Sequence, residues 1–206
     1  MPGDVAQSSR IEELENSVRA GNAQCEELIE LALRYLWALH RSEEGISLLD
    51  RAAQMADTCH AARLWLGYFR IHEMPSEAEI KAGIDILREL LQDSPDLIGA
   101  ASLVLASGLL SLREHDEAEI VSELEKSVAA EPDWVLNRIM LARRYLKLRR
   151  PHDAERCLSS ARRAFLSPGW RGDFVATAFE TLITGRLSDA ARRTAGELET
   201  EIRAIG

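Results

Sequence analysis

The residues of this 206-residue chain that could do chemistry are its cysteines and histidines, its carboxylate clusters and one basic run. Cys59-His60, with Cys25 elsewhere in the chain, offers ligand types that zinc accepts. A structural zinc site needs four donors at set spacings, and no CxxC or HExxH is present. His40, His72, His115 and His152 fall at or near expected helix–helix turns, where a solvated polar residue is the simplest reading. Glu26, Glu27 and Glu30, like Glu43 and Glu44, fall in the N-terminal halves of expected helices, where the helix dipole favours negative charge. There is no glycine-rich phosphate loop and no GxSxG turn. The sequence therefore offers no catalytic residue, no metal site and no cofactor, and it reads as a protein that is not an enzyme.

The basic run "LARRYLKLRRPHDAERCL" (141–158) poses a separate question. Nine basic residues against two acidic ones between 138 and 163 could meet nucleic acid. Tyr145 is the only aromatic there, however, and stacking platforms are what single-strand binders use. Helical phase also scatters the cluster, since Arg143 and Lys147 share a face while Arg138, Arg149 and Arg156 point elsewhere. An acidic protein surface or plain solvation explains the run better than nucleic acid does.

The chain totals agree. The net charge is -9, so nucleic acid is not the default partner. The charge is uneven: residues 1–131 carry -14 and residues 132–206 carry +5. Such a dipole can steer a partner, and it also suits association with a second copy of the chain. Three cysteines without a CxxC, and an N-terminal MPGDVAQSSR without an apolar stretch, predict reduced thiols and a cytoplasmic location. The longest apolar run, "LIGAASLVLASGLLSL" (97–112), falls short of the ~20 residues that span a bilayer.

These residues must be positioned by helices. Apolar residues recur at three- and four-residue steps, and no segment alternates like a strand. Ser9 with Glu12 reads as a capping box and Gly21 as a stop, which brackets a leading helix whose apolar side is Ile11, Leu14 and Val18. Further helices are predicted near 23–39, 42–57, 59–73, 76–93, 95–113, 116–130, 132–149, 152–166, 170–184 and 188–204. Their short connections force antiparallel neighbours.

The pattern then repeats. Pro95-Asp96-Leu97, Pro132-Asp133-Trp134 and Pro168-Gly169-Trp170 recur at spacings of 37 and 36. His115-Asp116-Glu117-Ala118 maps onto His152-Asp153-Ala154, and Leu105-Ala106 onto Leu141-Ala142. A small residue in the first helix and another early in the second (Ala118, Ala154) let two helices approach closely. One hairpin cannot bury both its faces, so copies stack. On these residues the chain resembles the tetratricopeptide repeat family. Residues 135–168 match best, through Leu141, Ala142, Tyr145, Ala154, Leu158, Ala161 and Pro168. Residues 25–57 follow with Leu28, Leu31, Ala32, Tyr35, Gly45, Leu49 and Ala52, and 98–132 keep Leu105-Ala106 and Ala118. Residues 60–95 keep Leu66-Gly67-Tyr68 and Lys81-Ala82 and resemble the Sel1-like variant. The resemblance implies an all-α, right-handed solenoid of about five antiparallel hairpins behind a leading N-terminal helix. Residues 1–8 read as a disordered lead and 9–206 as one repeat domain.

The resemblance also implies a concave groove lined by the first helix of each unit. Helical phase then selects Trp37; Trp65, Tyr68 and His72; Met140, Arg143 and Lys147; and Phe179 as groove-facing. The alternative for Trp37, Trp65 and Phe179 is packing between helices. The expected function is a non-catalytic scaffold or adaptor whose groove takes a protein or peptide with apolar anchors and acidic groups. A second reading is an accessory subunit bound to a partner enzyme or assembly through a large folded interface.

Overall fold

The computed structural model describes residues 2–55, 59–74, 76–132, 134–164 and 188–205. Among them every regular element is helical, and they group into two compact units, Met1–Ser94 and Pro95–Gly206. The first unit holds α1 (Pro2–Arg19), α2 (Cys25–Trp37), α3 (Ser42–Met55), α4 (His60–His72) and α5 (Glu77–Asp93). The second opens on a 3-10 turn at Pro95–Leu97. It continues with α6 (Ile98–Ser111), α7 (Glu117–Ala130), α8 (Val135–Lys147), α9 (Pro151–Ala164) and α10 (Ser188–Ile205). The helix predicted at 170–184 lies outside the described residues. Four hairpins, α2/α3, α4/α5, α6/α7 and α8/α9, stand complete, as the sequence periodicity predicts.

The punctuation acts locally as expected. Ser76 caps α5 by accepting the Glu79 amide, and Asp116 caps α7 by accepting the Ala118 amide at 2.8 Å. Pro151 opens α9, where its missing N–H leaves no partner unsatisfied. Gly21 adopts φ +73, the left-handed geometry that ends α1. The start of α1 differs from the sequence reading. It lies at Pro2 rather than after Ser9, and residues 2–8 continue the helix. Proline is tolerated in a first turn, and residues 4–8 contain nothing that stops a helix.

In the first unit α1 packs on α2, and α3 joins the two hairpins by packing on both α2 and α4. Backbones touch where the repeat demands small residues. A Cβ on Gly83 would sit 2.9 Å from the Gly67 carbonyl oxygen, and one on Gly67 would sit 2.8 Å from Leu87 Cγ. The small position of α5 is therefore Gly83, one residue beyond the Lys81-Ala82 read from the sequence. Leu28, Leu31, Ala32, Leu49, Ala52, Leu64, Leu87 and Leu90 close the core.

In the second unit α7 packs on α6 and α8, and α10 lies against α8 and α9. Ala154 is buried as expected, but Ala118 is exposed and Ile120 takes the buried position in α7. The reason lies in the partner: α6 carries Gly99, Ala100, Ala101, Ser102 and Ala106, so the clearance comes from α6 and α7 can hold a large side chain. This seam is also polar. Ser102 donates to Glu123 at 2.9 Å, Ser127 donates to the Gly99 carbonyl at 2.8 Å, and Asn137 Nδ2 reaches Ser127 and the Glu131 carbonyl. Buried polar groups of this kind fix register because only one alignment satisfies them.

The thiols depart from the expectation of a reduced set. Cys25, the first residue of α2, and Cys59, the residue capping α4, form a disulfide with a Cα–Cα distance of 6.3 Å. Their separation of 34 residues is close to the step of 35 between the starts of α2 and α4, so equivalent ends of successive first helices bring them together. Cys157 is free and buried, as predicted. Among the described residues no helix is long and apolar enough to cross a membrane.

Candidate functional site

The C-terminal end of α2 and residues 65–69 of α4 bring together four of the chain's eleven Phe, Trp and Tyr residues. On α4, Trp65, Tyr68, Phe69 and His72 occur at steps of three and four and so form one stripe. Trp37, the last residue of α2, meets Trp65 edge-on at 5.3 Å between centroids and Phe69 at 5.6 Å. Tyr68 meets Trp65 at 5.8 Å and Phe69 at 5.3 Å, and it carries His72 at 4.7 Å. The near-perpendicular pairs set the positive edge of one ring on the negative face of the next.

The structure therefore brings together all four residues read as groove-facing in this unit, at different depths. Trp65 is 0% exposed and Phe69 1%, so both are core. Trp37 and Tyr68 are half-buried, and His72 is exposed as a whole residue. The His72 ring is nonetheless crowded on its Tyr68 side. That desolvation lowers its pKa below the usual histidine range and favours the neutral ring. The surface is amphipathic: aromatic edges over a rigid floor, with a neutral imidazole at the rim.

In the second unit Met140 is half-buried and Arg143 exposed, with no carboxylate partner among the described residues. Lys147 is exposed but bonded to Glu117 in the first turn of α7. Arg144 at 3.5 Å and His115 at 3.4 Å complete that cluster. The Lys147 hydrogen bond, ahead of the Arg144 charge, holds the Glu117 carboxyl below the usual range. Of the basic run, Arg150 and Arg156 pair with Asp153, and Arg138 donates to the Pro132 carbonyl. Glu117 and Asp153 thus each hold two cations of the run within the unit. Phe179 lies outside the described residues. Among those described, no three His, Cys, Asp or Glu side chains come together as a metal site.

Sequence reading missed a device that occurs twice. Tyr35 donates to Glu15 at 2.7 Å, and Tyr145 donates to Glu125 at 2.6 Å. Arg41 lies 4.1 Å over the Tyr35 ring and pairs with Glu44, while Arg150 lies 4.3 Å over Tyr145 and pairs with Asp153. Both arginines follow a left-handed residue, His40 at φ 53 and Arg149 at φ 58, and both return an amide bond to the tyrosine carbonyl at 2.8 Å. The signal was present: Glu13-Leu14-Glu15-Asn16-Ser17-Val18 recurs as Glu123-Leu124-Glu125-Lys126-Ser127-Val128. α1 therefore packs on α2 as α7 packs on α8, so the leading helix uses the contacts of a repeat's second helix. Ser17 donates to Glu27, in the place of the Asn137–Ser127 bond. A cleft of about 540 Å³ opens beside this lock, floored by Val18, Leu31 and Leu48 and walled by charges of both signs.

Antiparallel hairpins with small residues at the crossings and a tyrosine at the end of the first helix define a helical-hairpin repeat fold of tetratricopeptide type. Two solved structures carry the same fold. One is the crystal structure of MamA, at a TM-score of 0.60 and 19% identity, covering 75% of this chain and 86% of that one. The other is TTC0263, a thermophilic TPR protein in Thermus thermophilus, at a TM-score of 0.56 and 17% identity, covering 88% of this chain and 98% of that one. No family model matches the chain, and no curated protein does.

Proposed function

We propose that the chain is a non-catalytic scaffold, its helical repeats acting as one domain that includes all of α1, and that it binds a protein segment on the first-helix faces of its hairpins. The observation that carries this reading is the graded aromatic stripe on α2 and α4. Trp65 and Phe69 are fully buried and hold Trp37, Tyr68 and His72 at the surface of packed helices. Pre-ordered aromatic edges anchor a ligand at low entropic cost. The partner chemistry that fits is an apolar anchor, leucine or phenylalanine, on the stripe of the first unit. Taken by itself, the second unit offers Arg143 beside Met140 to an acidic group. Lys147 acts indirectly, by holding the α7–α8 seam through Glu117, and Phe179 remains a proposed contact of the last repeat. Nucleic acid is disfavoured, because four cations of the basic run are held by carboxylates of their own unit and the net charge is -9.

The proposed location is the cytoplasm. The test is an array of 12-residue peptides combining leucine or phenylalanine anchors with aspartate and glutamate, followed by affinity measurement on the tightest. Trp37→Ala with Tyr68→Ala should weaken that peptide at least tenfold and leave the fold intact. Unchanged affinity in the double variant overturns the reading.

A further inference from the structure

We propose that the Cys25–Cys59 bond is a reversible redox clamp on the aromatic face, closed when oxidised and loosened when reduced. The part concerning ligand affinity rests on the reading of that face as a binding surface.

The placement of the bond carries the inference. α2 and α4 are the first helices of successive hairpins and are otherwise joined through α3. At their N-terminal ends Cys25 is bonded to Cys59, and further along Trp37, the last residue of α2, packs on Trp65 and Phe69 of α4. The aromatic stripe is thus the far end of a two-helix frame whose near end is a covalent bond. With the bond closed, the N-terminal ends of α2 and α4 cannot separate; with it open, side-chain packing alone sets the angle between the two helices. Trp37 sits on α2 and Tyr68 on α4, so a change in that angle alters how the two rings are presented together.

Cys25 is half-buried, while Cys59 is buried at 5% exposure, so a reductant approaches from the Cys25 side. A thiolate of a low-molecular-weight dithiol can attack Cys25 Sγ. The S–S bond breaks, and Cys59 leaves as a thiolate at the N-terminus of α4, where the helix dipole favours it. The second thiol of the reagent then releases Cys25. The dithiol ends as its own disulfide, having given two electrons and two protons to the two cysteines. Disulfides in a reducing cytosol are usually transient or redox-sensing rather than structural, which suits a bond of this kind in the proposed location.

The test uses the full chain, oxidised with oxidised glutathione or reduced with dithiothreitol, with thiol alkylation and mass measurement reporting the state. Reduction should lower the unfolding midpoint of the first unit by more than about 10 °C, from the loop entropy that the bond removes. It should also weaken the near-UV circular dichroism of the packed tryptophans, and the best array peptide should bind about tenfold more weakly. Cys25→Ser and Cys59→Ser should each match the reduced chain under both treatments, and Cys157→Ser should still respond. The proposal is overturned if alkylation shows full reduction with the midpoint, near-UV signal and affinity unchanged. It is equally overturned if oxidised glutathione cannot pair the two thiols. Absence of peptide binding in both states, with the near-UV change present, counts for the clamp and against the binding reading.

Discussion

Replacing Trp65 by alanine separates the structural from the binding role more sharply than any other single change. Trp65 is 0% exposed and touches the rings of Trp37, Tyr68 and Phe69 within 5.3 to 6.0 Å. Truncation removes a side chain that buries ~200 Å², about 5 kcal/mol at ~25 cal/mol/Å². Large-to-small changes at such sites cost about 3–5 kcal/mol because the cavity closes only in part. The first unit spans Met1–Ser94, and a unit of that size has ~5–14 kcal/mol of stability in total. The variant should therefore lose a large fraction of it, and its unfolding midpoint should fall by roughly 15–30 °C. Trp37→Ala, at a half-buried site, should cost only about 1–2 kcal/mol. Urea unfolding of both variants, followed by far-UV circular dichroism and tryptophan fluorescence, measures the difference. A loss below about 1 kcal/mol for Trp65→Ala, or a larger loss for Trp37→Ala, would refute the assignment of Trp65 to the core.

Three further outcomes follow from the geometry. Gly83→Ala places a Cβ 2.9 Å from the Gly67 carbonyl oxygen, so α4 and α5 must separate; a loss of about 1–3 kcal/mol is expected in urea unfolding. Tyr145→Phe deletes the bond to Glu125 and should cost about 1–2 kcal/mol, with Tyr35→Phe at Glu15 behaving alike; a change below about 0.3 kcal/mol in both would deny the lock a stabilising role. Glu15, Glu30 and Glu117 all have folded-state pKa values below the ordinary 4.5, held down first by bonds from Tyr35, Arg10 and Lys147 respectively. Each contributes stability present above the unfolded pKa and lost as pH falls through the folded one, so stability should drop below pH 4.5, and Glu30→Gln should flatten that slope.

The helices, their short turns and the hairpin repeat were legible because apolar spacing and Pro–Gly punctuation are local signals. The depth of the aromatic stripe was not. Trp65, Tyr68, Phe69 and His72 span a wide arc of α4, and the boundary between core and surface runs through it. Helical phase places all four on one side without saying which is covered. The small residue of the second helix was misplaced in α5 and α7 for a related reason. Close approach needs clearance from either partner, and α6 supplies it where Ile120 does not. The register of α1 could have been found, since Glu13–Val18 repeats as Glu123–Val128. The disulfide too had a signal, a separation of 34 residues, close to the repeat spacing, which only the stacking of successive hairpins turns into proximity.

The most direct measurement of the central claim is the affinity of the best hydrophobic–acidic peptide for the Trp37→Ala, Tyr68→Ala double variant, taken at a temperature where its circular dichroism matches the parent chain. Binding through the aromatic stripe predicts at least tenfold weaker affinity, about 1.4 kcal/mol or more. Equal affinity in the two chains would contradict it.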